Sequence, residues 1–185
     1  MIEKIRIRLK CHKTHYKSPC FRIHLNKTLL DDVQYFNNET YDRTFESETK
    51  DKENYISIEH YNKNPKDTIT DNNNTVLEDV AIQLESIYFD GIKCSSVDLH
   101  ENYFSVTEWR YKVDSPFKNN LYFGYNGIYK YYFNAPGRKY VLDTYEKYRR
   151  ENFIINNLDI NEKDFLEKLQ NQIKKDLFLI STDQT

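Results

Sequence analysis

Residues Glu53–Ile92 read ENYISIEHYNKNPKDTITDNNNTVLEDVAIQLESIYFDGI, two alternating stretches around a polar centre. Apolar and polar residues alternate with period two around Ile56 and Ile58, and again around Ile82 and Leu84. This alternation is typical of strands that are buried on one face. The Asn, Asp, Lys and Pro residues between the two arms continue neither strand and favour a solvated loop. The stretch therefore predicts a long β-hairpin that carries an exposed polar loop.

The composition indicates a β-rich core built largely from aromatic rings. Of 185 residues, 38% are hydrophobic and 15% aromatic, with 16 Tyr and 11 Phe. Aromatic residues favour strands, and tyrosine also suits flat recognition surfaces. A chain of this length is sufficient for one full core, or for one domain with a small appendage.

Charge and hydropathy exclude several classes of protein. Lys and Arg number 27 and Asp and Glu number 29, so no basic surface favours nucleic acid. No stretch approaches the roughly 18 apolar residues of a membrane span, and the first residues contain no apolar signal segment. The cysteines, Cys11, Cys20 and Cys94, are too few for a disulfide framework. We expect synthesis in a cytoplasm without a signal peptide, and free thiols.

Further short strands extend the pattern along the chain. Ile5–Leu9 alternates with basic residues, which predicts a first strand near a sheet edge. Phe21–Leu25 alternates similarly, and Asn26-Lys27 predicts a turn into the next strand. Asn126-Gly127 between aromatic stretches is a strong hairpin signal. Many short strands at regular spacing predict an all-β sandwich, jelly-roll-like in character.

The pattern changes to helical spacing after Asn134. Val141, Tyr145 and Tyr148 predict one helix, with Pro136 at its first turn. A second helix is predicted from Asn161, with an apolar stripe at Phe165, Leu166, Leu169, Ile173 and Leu177. The predicted division is a sandwich over 1–133 and a helical C-terminal segment over 134–185. The stripe predicts packing on a neighbouring copy in a homo-oligomer, with docking on the chain's own sheet as the alternative.

The polar loop contains oxygen donors suited to Ca²⁺. The candidate ligands are Asp67, Asp71, Asn73 and Asp79, with Glu78 as a further donor. An EF-hand is excluded, because Val76 and Ile82 stand where that loop needs Gly and Glu. A calcium site of another kind and a plain solvated loop both remain open.

Two other groups of residues are candidates for binding. Thiols and imidazoles are dense at Cys11, His12, His15, Cys20 and His24, but their spacing is unlike that of a structural zinc site, and a free-thiol loop is the simpler interpretation. The aromatic run 122–133 could present rings to a sugar, and Tyr122, Tyr125 and Tyr129 are the candidate ligand-binding residues. The alternative is that these rings form a core face and an interface.

The order of features between residues 5 and 92 resembles the calcium-dependent xylan-binding modules. The resemblance lies in IRIRL (5–9), FRIHLN (21–26), NYISIEHYNK (54–63), DTITD (67–71) and VAIQLESIYFDGI (80–92). It implies a small carbohydrate-binding β-sandwich with a possible Ca²⁺. The same arms, followed by NNLYFGYNGIYKYYF (119–133), are similar to small proteins of marine tailed bacteriophages. That second resemblance implies a component of a virion.

The motif search finds no catalytic signature, so no catalytic residue is predicted. The leading hypothesis is a non-catalytic bacteriophage virion protein, at the tail or on the capsid. Its sandwich would bind other virion proteins, further copies of itself, or a host surface glycan. The alternatives are a free calcium-dependent carbohydrate-binding module and an enzyme with an unrecognised site.

Overall fold

In a computed structural model of the chain, the structure describes residues 1–106, 117–118 and 121–150. The strands are β1 (Ile2–His12), β2 (Cys20–Leu25), β3 (Thr28–Val33), β4 (Thr40–Glu48), β5 (Glu53–Tyr61), β6 (Thr68–Thr70), β7 (Val76–Asp79), β8 (Ala81–Phe89), β9 (Ile92–Lys93), β10 (Tyr103–Val106), β11 (Phe117–Lys118), β12 (Tyr122–Phe123) and β13 (Gly127–Asn134). The helices are α1 (Ser96–Glu101) and α2 (Gly137–Arg150).

The strands form two antiparallel sheets that enclose one core. The first sheet has the order β12-β8-β1-β4, with β9 paired to β8. The second sheet has the order β11-β10-β13-β5-β2-β3, and β6 and β7 form a small separate pair. The predicted fold class, an all-β sandwich followed by a helix, is confirmed.

The core lies between the inner faces of the two sheets. Ile7 of β1 and Ile58 of β5 have no exposed surface, and both belong to one buried cluster. Rings fill much of the remaining space, and the centroids of Phe89 and Phe133 lie 4.5 Å apart. Fully burying such a side chain stabilises the fold by roughly 1.5–3 kcal/mol. The aromatic composition is therefore used largely for packing.

The first strand lies near a sheet edge, as predicted, but it is not the edge strand itself. β1 lies one strand in, between β4 and β8. Its outward cations bind acids on those neighbours: Arg6 binds Asp42 at 2.6 Å, and Arg8 binds Glu85 at 2.8 Å. Basic side chains on one face thus match a central position, because both flanking strands carry carboxylates on that face.

The predicted hairpin across Glu53–Ile92 is wrong. Its first arm, β5, pairs with β13 and β2 in the second sheet, whereas its second arm, β8, pairs with β1 in the first. The two arms face each other across the core instead of sharing hydrogen bonds. Period-two alternation indicates which face of a strand is buried. It is the same whether two strands pair with each other or lie in opposite sheets, so it does not identify the partner.

The two turn predictions have opposite outcomes. The Asn26-Lys27 turn is confirmed: Leu25 pairs with Thr28, and Asn26 has a left-handed φ of 55°. The Asn126-Gly127 hairpin is wrong, since β12 belongs to the first sheet and β13 to the second. The Asn126 side chain instead exchanges 2.8 Å hydrogen bonds with the backbone N–H and C=O of Lys63.

The predicted helix after Asn134 is confirmed as α2, in which Val141 is buried. The chain divides into two compact units, Met1–Thr144 and Tyr145–Thr185; of the second, the structure describes only the end of α2. The helix predicted from Asn161 lies outside the described residues, and the division at residue 133 remains a prediction. Across the described ranges, every helix is too short or too polar to cross a bilayer.

Candidate ligand-binding site

The three predicted ligand-binding tyrosines have different environments. Tyr122 is 36% exposed and Tyr125 is 39% exposed, whereas Tyr129 has no exposed surface. The Tyr129 ring stacks on Phe123 with centroids 5.4 Å apart, and its hydroxyl donates to the Leu99 carbonyl at 2.8 Å. Tyr129 cannot present its ring to a ligand, because the alternation of β13 points it into the core.

A cluster forms around the buried side chain of Lys63, and its other members are Asp79, Tyr122 and Tyr125. The Lys63 ammonium contacts Asp79 at 2.5 Å and lies 5.9 Å from the centroid of the Tyr125 ring. Asp79 also accepts from the hydroxyls of Tyr122 and Thr68, each at 2.7 Å. Both partners of the ion pair are largely buried, at 7% exposure for Lys63 and 11% for Asp79. This Lys63–Asp79 cluster brings together Asp79, which was predicted to bind a metal, and Tyr122 and Tyr125, which were predicted to bind a sugar.

A second buried ion pair holds the start of the same polar segment. Lys17 contacts Asp67 at 2.5 Å, and the backbone N–H of Asn64 donates to the same carboxylate at 2.7 Å. Lys17 also donates to the carbonyl of Asn62. Asp67 is therefore a buried anchor of the connection between the two sheets, whereas the sequence predicted a solvated loop.

Asp71 and Asn73 lie at the turn between β6 and β7. One Asp71 oxygen accepts from the backbone N–H groups of Thr75 and Asn73, at 2.8 Å each. These two hydrogen bonds hold the pKa of the Asp71 carboxyl below its usual value, and the bond from Thr75 has the larger effect. The carboxylate thus closes its own turn, a common use of Asp in such loops.

The arrangement of these acids does not fit a calcium ion. Calcium requires six to eight converging oxygens, but the carboxylates of Asp67 and Asp79 each face a lysine ammonium. Over the described ranges, His, Cys, Asp and Glu nowhere gather in groups of three or more that could hold a metal. Lysine supplies the positive charge at both positions.

The zinc candidates are likewise spread over different environments. Cys11 and Cys20 are buried free thiols, and burial raises the pKa of Cys11 to about 12. His15 lies at the surface, where its Nδ1 is 3.1 Å from a Glu78 oxygen. Zinc binds the thiolate form, which burial disfavours at Cys11.

A cleft of about 600 Å³ lies at the opposite end of β5 from Lys63. Its lining residues are Asp51, Lys52, Glu53, Tyr132, Phe133, Asn134 and Tyr140. Glu53 begins β5 and is the cross-strand partner of Asn134, which ends β13. The cleft therefore forms where two neighbouring strands meet the start of α2.

The cleft combines an exposed ring with polar groups. Tyr132 is 44% exposed, and its ring centroid is 5.8 Å from that of Tyr55 on the next strand. The Tyr140 ring packs edge-on against Tyr131 at 6.4 Å, and burial raises the pKa of Tyr140 to about 12. The Tyr140 hydroxyl is therefore protonated at neutral pH and can donate or accept a hydrogen bond.

Sequence reasoning came close to this cleft without identifying it. Tyr132 belongs to the aromatic run that is a candidate for sugar binding, but it is not among the three candidate tyrosines. The alternation within β13 separates it from the buried rings of Tyr131 and Phe133, and that signal is present in the sequence. Asp51 and Glu53 stand in a charged stretch without a pattern, and only the fold brings them to Tyr132.

Comparisons with known proteins yield one similar structure. No family model matches the chain, and no curated protein matches it. A solved structure described as vCBM60 in complex with galactobiose matches 69% of this chain and 96% of its own, with a TM-score of 0.44 and 12% identity. At this identity, no site residue is transferred from that protein to this chain.

Proposed function

We propose that the chain is a non-catalytic glycan-binding module that holds a sugar ring in the cleft of Tyr132. The observation that supports this most directly is the exposed Tyr132 ring in a concave site of about 600 Å³. Ligand sites of this size typically combine aromatic surface with a few polar groups that fix orientation. A sugar needs both, since its ring has an apolar face and its edge carries hydroxyls.

Five residues of the cleft have a role in this proposal. The face of Tyr132 packs against the C–H groups of a sugar ring, and Tyr140 borders the same space. The carboxylates of Asp51 and Glu53 accept hydrogen bonds from sugar hydroxyls. The Asn134 amide donates and accepts, so it can bind a hydroxyl in either orientation.

The exposure of the two carboxylates favours binding over hydrolysis. Glycosidases use a pair of carboxyl groups, one of which needs a raised pKa to act as the acid. Asp51 and Glu53 are both exposed, whereas the site of such an acid is usually desolvated. The cleft therefore offers hydrogen bonds to a sugar without the environment of a general acid.

The proposed setting is the surface of a bacteriophage particle, at the tail or capsid. The support is the resemblance of the sequence to proteins of tailed phages, and the partners would be other virion proteins, further copies of this chain, or a host glycan. Mass spectrometry of purified particles tests this setting. Absence of the chain from intact particles would leave a free glycan-binding module.

Binding measurements on two tyrosine variants test the site. We expect Tyr132→Ala to weaken glycan binding by about tenfold or more, which corresponds to about 1.4 kcal/mol. Tyr125→Ala is the matched control, because Tyr125 is similarly exposed but lies at the Lys63–Asp79 cluster. The probes are xylan, chosen from the sequence resemblance, and galactobiose, beside a wider glycan array.

Four outcomes distinguish the alternatives. Loss in Tyr132→Ala alone supports the cleft, and loss in Tyr125→Ala alone moves the site to the Lys63–Asp79 cluster. Absence of binding to every glycan contradicts the proposal. Release of reducing sugar from a bound probe would show an enzyme instead of a binding module.

A further inference from the structure

The cleft opens onto the outward face of the second sheet. On β5 the odd-numbered residues point outward, and on β13 the even-numbered ones do. Glu53 and Asn134 of the cleft are cross-strand partners, and the next outward pair is Tyr55 with Tyr132. Tyr132 thus belongs both to the cleft and to this outward face.

A second tyrosine stands at the far end of the same strand. Tyr61 is the last residue of β5 and points to the same side as Tyr55. At about 3.3 Å per residue, the two rings stand about 20 Å apart along the strand. This separation exceeds the size of one sugar ring and suits a chain of several.

A small side chain lies between the two tyrosines. Ser57 lies midway on β5, is 8% exposed, and has Lys130 and His24 as its cross-strand partners. Because serine is small, it places no ring or long side chain of its own on the line between Tyr55 and Tyr61. The Lys130 ammonium leans over the Tyr55 ring, 5.3 Å from its centroid.

Arg22 pairs with two carboxylates of this face. Arg22 contacts Asp32 at 3.2 Å and Glu59 at 3.6 Å, and its guanidinium lies 4.3 Å from the centroid of the Tyr61 ring. The Tyr61 hydroxyl donates to Asp32 at 2.7 Å. With Asp51, Lys52 and Glu53 of the cleft included, the platform carries four carboxylates and three cations, which disfavours an anionic ligand. The contacts with Arg22 and Asp32 also fix the Tyr61 ring before any ligand arrives.

We infer that the cleft and this outward face form one platform for an extended, uncharged polysaccharide that runs along β5 from Tyr132 to Tyr61. The inference rests on the proposed function and deepens it: the ligand is an internal stretch of a polymer, not a terminal sugar. Its first ring occupies the cleft, later rings cross the face at Ser57, and a distal ring contacts Tyr61.

The dependence of affinity on chain length tests this inference. The probes are a disaccharide and a hexasaccharide of xylan and of galactan, with polygalacturonate as the charged polymer, titrated by calorimetry. We expect each bound hexasaccharide to bind about tenfold tighter than its disaccharide, since it alone reaches Tyr61. Tyr61→Ala removes that gain and leaves disaccharide affinity unchanged. Tyr61→Phe keeps the ring and the gain, which separates lost stacking from a disturbed fold.

The possible failures are distinct. Equal affinity for disaccharide and hexasaccharide, or a gain that survives in Tyr61→Ala, overturns the platform and leaves the cleft intact. Preference for polygalacturonate overturns the uncharged ligand. Binding of none of these probes overturns the platform together with the proposed function.

Discussion

The position of a tyrosine within its strand decides what that tyrosine does in this molecule. On β13, Tyr129 and Tyr131 point inward and have no exposed surface, while Tyr132 between inward neighbours points outward and is 44% exposed. Successive side chains of a strand point to opposite faces, but the aromatic run alone did not show which face is inward, and Tyr129 was predicted to bind a ligand. The sequence also does not show that Asp51 and Glu53 join Tyr132, because that depends on how distant segments meet.

A substitution at Ile58 tests the packing of the core. Its side chain is fully buried in the cluster shared by both sheets. We expect Ile58→Ala to lower the free energy of unfolding by about 2–5 kcal/mol, measured by chemical denaturation, because burial is lost and a cavity remains. Ile2→Ala is the control, since Ile2 is 69% exposed. Equal effects of the two substitutions would contradict the assigned core.

The buried imidazole of His60 predicts a dependence of stability on pH. His60 has no exposed surface, and its Nδ1 lies 3.0 Å from the Tyr125 carbonyl. Burial lowers its pKa to about 4, against 6.5 for an ordinary histidine. Above about pH 6.5 the imidazole is neutral in both states. As the pH falls towards 4, only the unfolded chain gains the proton, so stability is lost in this window.

Denaturation curves at several pH values check the effect. We expect His60 to contribute a loss of about 3 kcal/mol between pH 6.5 and 4. The variant His60→Asn, whose side-chain amide offers an N–H donor in place of the ring N–H but does not titrate, should show a flatter dependence over that window. An unchanged slope would mean that His60 is hydrated or charged in the folded state.

At the scale of elements, several strands were predictable, but of the predicted pairings only that of β2 with β3 is confirmed. Alternation located β1, β2, β5 and β8, because burial of one face is a local property of each strand. It joined β5 to β8 incorrectly, since strand partners are set by contacts distant in sequence. The acids that pair with Arg6 and Arg8 lie on other strands, and a single strand's pattern does not reveal them.

The connection between β5 and β8 depends on the Lys63–Asp79 pair. Removing one partner of a buried ion pair leaves a desolvated charge, which costs about 3–5 kcal/mol. We therefore expect Lys63→Met to destabilise the chain by this amount in urea denaturation. The double variant Lys63→Met with Asp79→Asn should recover part of the loss, because the uncompensated carboxylate is gone.

A surface ion pair provides the matched control for this prediction. Lys4 contacts Glu46 at 3.3 Å, with both side chains more than half exposed. Lys4→Met should have a much smaller effect, because water replaces the lost partner. Similar losses in Lys4→Met and Lys63→Met would show that burial of the Lys63–Asp79 pair has no energetic role.

At the scale of the whole molecule, composition and alternation were sufficient to predict a β-sandwich followed by a helix. The oligomer predicted from the apolar stripe of residues 165–177 remains a prediction, since that segment lies outside the described residues. Deleting residues 162–185 and measuring the mass in solution tests it. We expect an oligomer that becomes smaller on deletion. If the number of chains per particle is the same before and after the deletion, the stripe packs within its own chain.

We propose that this sandwich binds glycans without a metal, since lysines neutralise two of the predicted calcium ligands, Asp67 and Asp79. A glycan array probed in calcium and again in a chelator tests both parts in one measurement. We predict binding to uncharged polysaccharides at equal strength in the two conditions. Binding that disappears in the chelator, or no binding in either condition, would contradict the claim.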